Sequence, residues 1–251
     1  MSEATAPYIY LAAPCYGGVI NLYFMRSVLN LQEACRERGI GLHIDLMGGD
    51  ALITRARSRL AARFLAHDKA THILFCDADI GFAAENVFRL IEADRDIVAA
   101  VCPLKQIDWE KARAAAKAGV EDLQAASIGY VVRFLPTADK SVEVVNGFAK
   151  VAYAGTGFLM IKRAAMQQVV DAHPELHARM GDMADPLADE AVMVFDTMIE
   201  RETGQYLSED YAFCRRWRDL GGEIWADVEA RLTHVGHAAY VGSLIQAMRL
   251  G

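Results

Sequence analysis

The carboxylates of Asp77 and Asp79 lie one residue apart, directly after the apolar run His72-Ile-Leu-Phe-Cys76. Two hard oxygen donors at the mouth of a buried strand suit Mg²⁺ or Mn²⁺, and such a cation neutralises a diphosphate. In open α/β sheets ligands collect at the carboxyl ends of strands, which is where this pair falls. The plainer alternative has one aspartate capping the next helix and the other facing solvent, but the strand's hydrophobicity favours chemistry. A second constellation is Ser208-Glu209-Asp210. Ser208 suits a helix cap and the two acids suit a first turn. A carboxylate placed there and facing a pocket can instead take a proton from a hydroxyl. The third is Thr233-His234-Val-Gly236-His237. If the segment Ala230 to Val235 returns beside the aspartates, a neutral imidazole completes their metal shell. Gly236 would then let the backbone pass close to a diphosphate.

These groups need a frame to hold them. Tyr8 to Ala13 is a short apolar run ending at Pro14, read as a buried strand followed by a loop with Gly17 and Gly18. Asn21 can cap a helix that runs to about Arg38 and stops at Gly39. Leu42 to Met47 reads as a strand, Leu52 to Ala66 as a helix, and His72 to Cys76 as the strand before the aspartates. A helix from about Ala84 to Ala93 and a strand Ile97 to Val101 follow. Strands alternating with helices of this length predict βαβ units and a largely parallel sheet.

The second half has a different texture. Trp109 to Gln124 is expected to be a helical, alanine-rich insertion. Tyr130 to Phe134, Val142 to Val145 and Ala149 to Tyr153 read as short strands in a meander. Gly155-Thr156-Gly157 is a tight loop before the strand Phe158 to Ile161, and a helix begins near Ala164. His173 to Glu190 reads as a loop over one end of the sheet. The acids at 209 and 210 open a helix to about Leu220.

Composition narrows the field of functions. A chain of 251 residues supports one α/β domain with a sizeable core. A net charge of −7 argues against nucleic acid as a partner, because such binders need a basic face to displace counterions. No apolar run reaches the roughly 20 residues of a transmembrane helix, and Met1 to Pro7, with Glu3 and no basic residue, does not read as a secretory signal. The five cysteines show no C-x-x-C spacing and read as apolar filler in a reduced compartment. A cytoplasmic enzyme, free or peripheral at the inner membrane surface, is the expectation.

The order of an N-terminal α/β half, a D-x-D after a strand, the Gly155–Gly157 loop and a late Ser-Glu-Asp helix resembles the GT-A glycosyltransferases, from about Tyr8 to Tyr240. Ser208 to Trp225 is similar to the E-D helix of the family 2 type, and Thr233-His-Val-Gly236 resembles a late metal-ligand stretch of several GT-A families. The resemblance implies a GT-A, Rossmann-like α/β fold with a mainly parallel central sheet. It implies a single domain over 1–251, with a nucleotide-binding half at 1–105 and an acceptor-side half at 106–251. The implied activity is hexosyl-type transfer from a nucleoside diphosphate sugar, a UDP- or GDP-sugar, to a hydroxyl of a glycan, lipid or protein, with Mn²⁺ or Mg²⁺.

Residue by residue, the resemblance makes Asp79 a direct metal ligand, and Asp77 a contact to the ribose or, through water, to the metal. His234 becomes the third protein ligand, with His237 as the alternative. Asp210 is the base and Glu209 orients the acceptor. Pro14 and Cys15 lie by the nucleotide, with Ala78 between the aspartates. Arg55 and Arg57 either point at the nucleotide or belong to a solvated helix face. Gly155, Thr156 and Gly157 line the sugar or acceptor pocket.

The chain departs from the family 2 pattern in lacking the Q-x-x-R-W stretch, and its late histidine leaves a retaining outcome open. Haloacid-dehalogenase-like phosphatases also carry D-x-D after a strand, but on the first strand and with Thr or Val next, where this chain has Ile80-Gly81. Two other classes stand beside glycosyltransfer. A nucleotidyltransferase usually has a basic, Gly-rich first loop, and Pro14 to Gly18 has no Lys or Arg. A non-catalytic nucleotide-sugar-binding module would keep the motifs without turnover.

Overall fold

The computed structural model describes residues 6–135, 137, 139, 141–179 and 187–237. Part of the 173–190 loop, Met1 to Thr5 and the tail from 238 lie outside them. The first half is β1 (Tyr8–Cys15), α1 (Leu22–Arg38), β2 (Gly41–Gly48), α2 (Ile53–Ala66), β3 (His72–Cys76), β4 (Ile80–Gly81), α3 (Ala84–Glu92) and β5 (Ile97–Ala100). There follow β6 (Pro103–Ile107), α4 (Trp109–Lys117), α5 (Leu123–Ser127), β7 (Ile128–Tyr130), β8 (Val132–Phe134) and β9 (Val144–Val145). The last elements are β10 (Phe148–Ala154), β11 (Phe158–Lys162), α6 (Arg163–Ala172), β12 (Met198–Ile199), β13 (Tyr206–Leu207), α7 (Glu209–Asp219), β14 (Ile224–Asp227) and β15 (Thr233–His234).

One nine-stranded sheet runs in the order β2-β1-β3-β11-β5-β14-β10-β8, with β9 also on β10. Seven of its strands point the same way, and β10 and β11 run against them. The fold is therefore mixed α/β with a mostly parallel central sheet. The reversed β11 sits in the middle of the sheet, between β3 and β5.

Both faces of this sheet are covered, as the continuous apolar strands require. Alternation along each strand sorts the side chains. Ile9, Leu11, Leu74 and Val98 face the layer holding α1 and α3. Tyr10, Ala12, Phe75 and Ala99 face the layer holding α2, α6 and α7. Asp77 continues the parity of Ile73 and Phe75, which is why it meets α2 and α7 rather than α1.

Several local expectations meet their elements. Asn21 accepts from the Tyr23 N–H at the start of α1, and Gly39 ends that helix in the left-handed region at φ 67°. The insertion is two helices rather than one, because Gly119, at φ 74°, follows the end of α4. All five cysteines are buried free thiols. No helix among the described residues is long and apolar enough to cross a membrane. The Arg163 side chain fixes α2, donating to the carbonyls of Phe64, Leu65, His67 and Ala70 at its C-terminal end.

Candidate active site at the end of the central strand

β3 ends among β1, β11 and the helices above them, and Asp77 follows immediately. The Asp77 N–H donates to the Gly157 carbonyl at 3.0 Å, and the Ile80 N–H donates back to the Asp77 carbonyl at 2.9 Å. That turn sends the chain into β4, which pairs antiparallel with β15, setting His234 opposite Ile80. The Val235 N–H donates to the Asp79 carbonyl at 3.0 Å and continues the pairing. A segment some 150 residues downstream is thereby laid against the D-x-D turn.

The His234 imidazole reaches Asp79 through Nε2, 3.3 Å from Oδ1. Its Nδ1 lies 2.7 Å from the Pro103 carbonyl oxygen, an acceptor, so Nδ1 carries the proton. Nε2 is thus the ring nitrogen that faces the carboxylate, placed to donate to it when the ring is charged or to share a cation with it when the ring is neutral. The other Asp79 oxygen accepts from the Lys105 ammonium. Burial pushes the Asp79 carboxyl up, but the hydrogen bonds from His234 and Lys105 and the lysine charge outweigh it, and the net shift is down. His237 is exposed, so of the two histidines His234 is the one at Asp79.

Asp77 is turned the other way. Its Oδ1 accepts from Arg57 Nη2 at 2.9 Å, and Arg57 Nη1 donates to Glu209 Oε1 at 2.6 Å. Arg57 is only 4% exposed. Burial works against its charge, but the Asp77 and Glu209 carboxylates more than restore it, and its pKa is raised. Arg57 Nε has no hydrogen-bond partner. The guanidinium thus joins α2, the D-x-D turn and the start of α7.

Asp210 stands beside this brace. Its Oδ1 accepts from the Ser208 hydroxyl and, at 2.8 Å, from the Tyr211 N–H. Ser208 occupies the cap position of α7 but spends its hydroxyl on Asp210 rather than on the helix backbone. Burial is the main cause that raises the Asp210 pKa, with Ser208 pulling down and the neighbouring Glu209 charge pushing up.

Oδ2 of Asp210 faces Gly155, where an added Cβ would lie 3.5 Å away. A Cβ at Gly157 would lie 3.2 Å from Asp77 Oδ2 and 3.0 Å from the Cys102 sulfur. Thr156 between them is buried, and its hydroxyl has no partner. The Gly155–Gly157 loop therefore separates the two carboxylates, and its missing side chains keep space in front of both.

Other expected residues sit around this centre. Pro14 and Cys15 end β1 beside Met47 and Gly48 of β2. The loop after them reaches the aspartates, the Asn21 N–H donating to the Ala78 carbonyl at 2.8 Å. Arg55 is engaged elsewhere, clasping the buried Asp50 through Nε and Nη2. It shares that carboxylate with Arg59. Arg57 is not on a solvated helix face. Three participants lay outside the sequence reading: Lys105, the Pro103 carbonyl and the Ser208 hydroxyl as a partner of Asp210.

The residues present fit a divalent cation as a half-built shell. Asp79 offers an oxygen and His234 a nitrogen to one point, a set that carboxylate- and imidazole-tolerant Mn²⁺ accepts. Asp77 does not join them, so the three-residue shell of Asp77, Asp79 and His234 does not close. No group of three or more His, Cys, Asp or Glu side chains converges in this way among the described residues. A cation held by one or two protein groups completes its sphere with water and substrate phosphate oxygens.

No protein-family model matches the chain, and no curated protein matches it in sequence. Solved structures match in outline. A197 from STIV has a TM-score of 0.46 at 13% identity, covering 94% of this chain and 99% of that one. The catalytic domain of Drosophila β1,4-galactosyltransferase 7 with xylobiose scores 0.46 at 11% identity, covering 98% and 80%. A glycosyltransferase involved in glycosylating the major capsid of PBCV-1 scores 0.38 at 10% identity, covering 93% and 95%.

Proposed function

We propose that this chain is a metal-dependent glycosyltransferase of the GT-A type, moving a sugar from a nucleoside diphosphate sugar to a hydroxyl acceptor. The observation that carries the reading is convergence. Arg57, the D-x-D turn, the Gly155–Gly157 loop, Glu209-Asp210 and His234 come from five separate stretches and meet at the end of one strand.

In this reading Asp79 and His234 hold Mn²⁺ or Mg²⁺. The cation, when bound, offsets the charge that gathers on the leaving diphosphate. Arg57 fixes the Asp77 carboxylate, whose place beside the β1 loop suits a ribose contact. Pro14, Cys15 and Ala78 belong to the nucleotide side, and Gly155, Thr156 and Gly157 to the sugar side. Asp210, with Oδ1 held by Ser208 and Tyr211, keeps Oδ2 to take the proton from the acceptor hydroxyl. Glu209 acts by holding Arg57.

The test is donor turnover with a panel of UDP- and GDP-sugars and Mn²⁺, read beside nucleotide-dependent thermal shifts. Asp79→Ala is expected to abolish both turnover and the metal-dependent nucleotide shift while leaving the fold intact. Full turnover in chelator or in Asp79→Ala would refute the site, and release of pyrophosphate instead of a nucleoside diphosphate would make the chain a nucleotidyltransferase.

A further inference from the structure

A cleft of about 650 Å³ opens beside the candidate site. On one side it is walled by Gln124, Ile128 and Tyr130 of the insertion, and on the other by Arg231, Thr233 and His234. That volume falls in the range of small-molecule sites. A second cleft of about 420 Å³, bearing Trp109, shares Leu104 with it as a common wall. Gly129 lies beneath the junction, where an added Cβ would come within 3.0 Å of a Leu104 methyl.

Trp109 is the odd residue here. Its helix, α4, has no buried residue, and Trp109 itself is 71% exposed, so it contributes nothing to the core. Trp217 and Trp225 are both buried. Its flat indole face is open to solvent on the wall of the second cleft, where a ligand ring can stack on it.

The larger cleft touches the candidate site at His234. Tyr130 lines the larger one, while its neighbour Val131 packs on Gly155, the residue facing Asp210 Oδ2. Pro103, on the same wall, holds His234. The lining mixes flat aromatic and apolar surface with amide, hydroxyl and both signs of charge. Sugar rings match this, with C–H faces for the aromatics and hydroxyls for the polar groups. A purely apolar lipid tail or a strongly charged ligand would leave half of these groups unmatched.

We propose that the paired clefts bind a neutral oligosaccharide acceptor, with its reacting sugar near His234 and Asp210 and a distal sugar on Trp109. The proposal rests on the glycosyltransfer reading for the identity of the reacting sugar, but not for binding itself.

Two measurements test it on the full chain. Calorimetric titrations with neutral di- and tetrasaccharides of the xylo-, manno-, gluco- and chito- series read binding directly, in the variants as in the unaltered chain. At least one series is expected to saturate, with the tetrasaccharide some tenfold tighter than the disaccharide. Trp109→Ala should remove that length preference and Trp109→Phe keep most of it, while donor hydrolysis stays unchanged in both and reports an intact fold. In transfer assays Trp109→Ala should raise the KM for a tetrasaccharide acceptor about tenfold and leave kcat alone.

Absence of any oligosaccharide response, or a length preference that survives Trp109→Ala, overturns the proposal. So does saturation only by peptides or lipid micelles. Oligosaccharide binding without donor turnover would keep the groove and remove the glycosyltransfer reading.

Discussion

Asp77 and Asp79 are one residue apart and live in different surroundings. Asp77 is locked to Arg57, which is buried and also held by Glu209. The two aspartate side chains are exposed alike, 32% and 37%, and it is the partners that differ: Asp79 has the half-exposed Lys105 on one oxygen and His234 near the other. One carboxylate belongs to a preorganised brace and the other to a set of exchangeable contacts. The difference teaches how such a site divides its labour. Asp77 is fixed through a buried arginine that a second carboxylate also holds, while Asp79 keeps partners that solvent or phosphate can replace.

The comparison can be sharpened first at Asp210, on the braced side. Asp210→Asn is expected to cut transfer by on the order of 10²- to 10⁴-fold with nucleotide affinity nearly unchanged. In the parent protein the rate should fall as pH drops through a base pKa above the ordinary aspartate value, because burial raises it and only the ionised form works. The sign for stability is opposite to that for activity. A carboxyl whose folded pKa lies above its unfolded one costs stability once both states are ionised, so Asp210→Asn should raise Tm at neutral pH. A lower Tm would contradict the stability sign, and an acid limb at the unshifted aspartate position would assign the proton transfer elsewhere.

The brace itself breaks at Arg57. Arg57→Met leaves the Asp77 and Glu209 carboxylates without their shared cation and should cost about 3 kcal/mol in urea unfolding. The smallest effect belongs to the rim, where Lys105→Met should change stability by less than ~1 kcal/mol, since both partners are more than a third exposed. The same substitution should tighten Mn²⁺ binding, measured calorimetrically without nucleotide, by removing a competing cation from Asp79. Equal stability losses at 57 and 105 would erase the distinction between the two aspartates.

What could be read from the residues follows the reach of each signal. α1 was legible because both of its ends are local, an Asn21 cap and a left-handed Gly39. β3 was legible because four apolar residues, Ile73 to Cys76, run straight into two acids. The reversed directions of β10 and β11 were not, since antiparallel neighbours leave no mark on strands buried on both faces. Arg57 looked like any helix-face arginine because its partner Glu209 is 152 residues away. Lys105 lies in the unremarkable stretch Pro103-Leu-Lys-Gln-Ile107, and only the β15 pairing brings the rest of its neighbourhood into place. Ser208 holds the cap position as read, but its Oγ accepts from no helix N–H and its O–H donates to Asp210. The split in the insertion was readable in principle from Lys117-Ala-Gly119, a common helix stop.

The two-residue ladder between β4 and β15 carries one more implication. So short a splice contributes little by itself, yet it is what brings an imidazole to the acidic turn. Under the proposal that Asp79 and His234 hold a cation, attachment of the late segment and capture of that cation would be two faces of one equilibrium. Whatever a ligand gains by finding His234 already docked, the docking gains in equal measure when the ligand arrives.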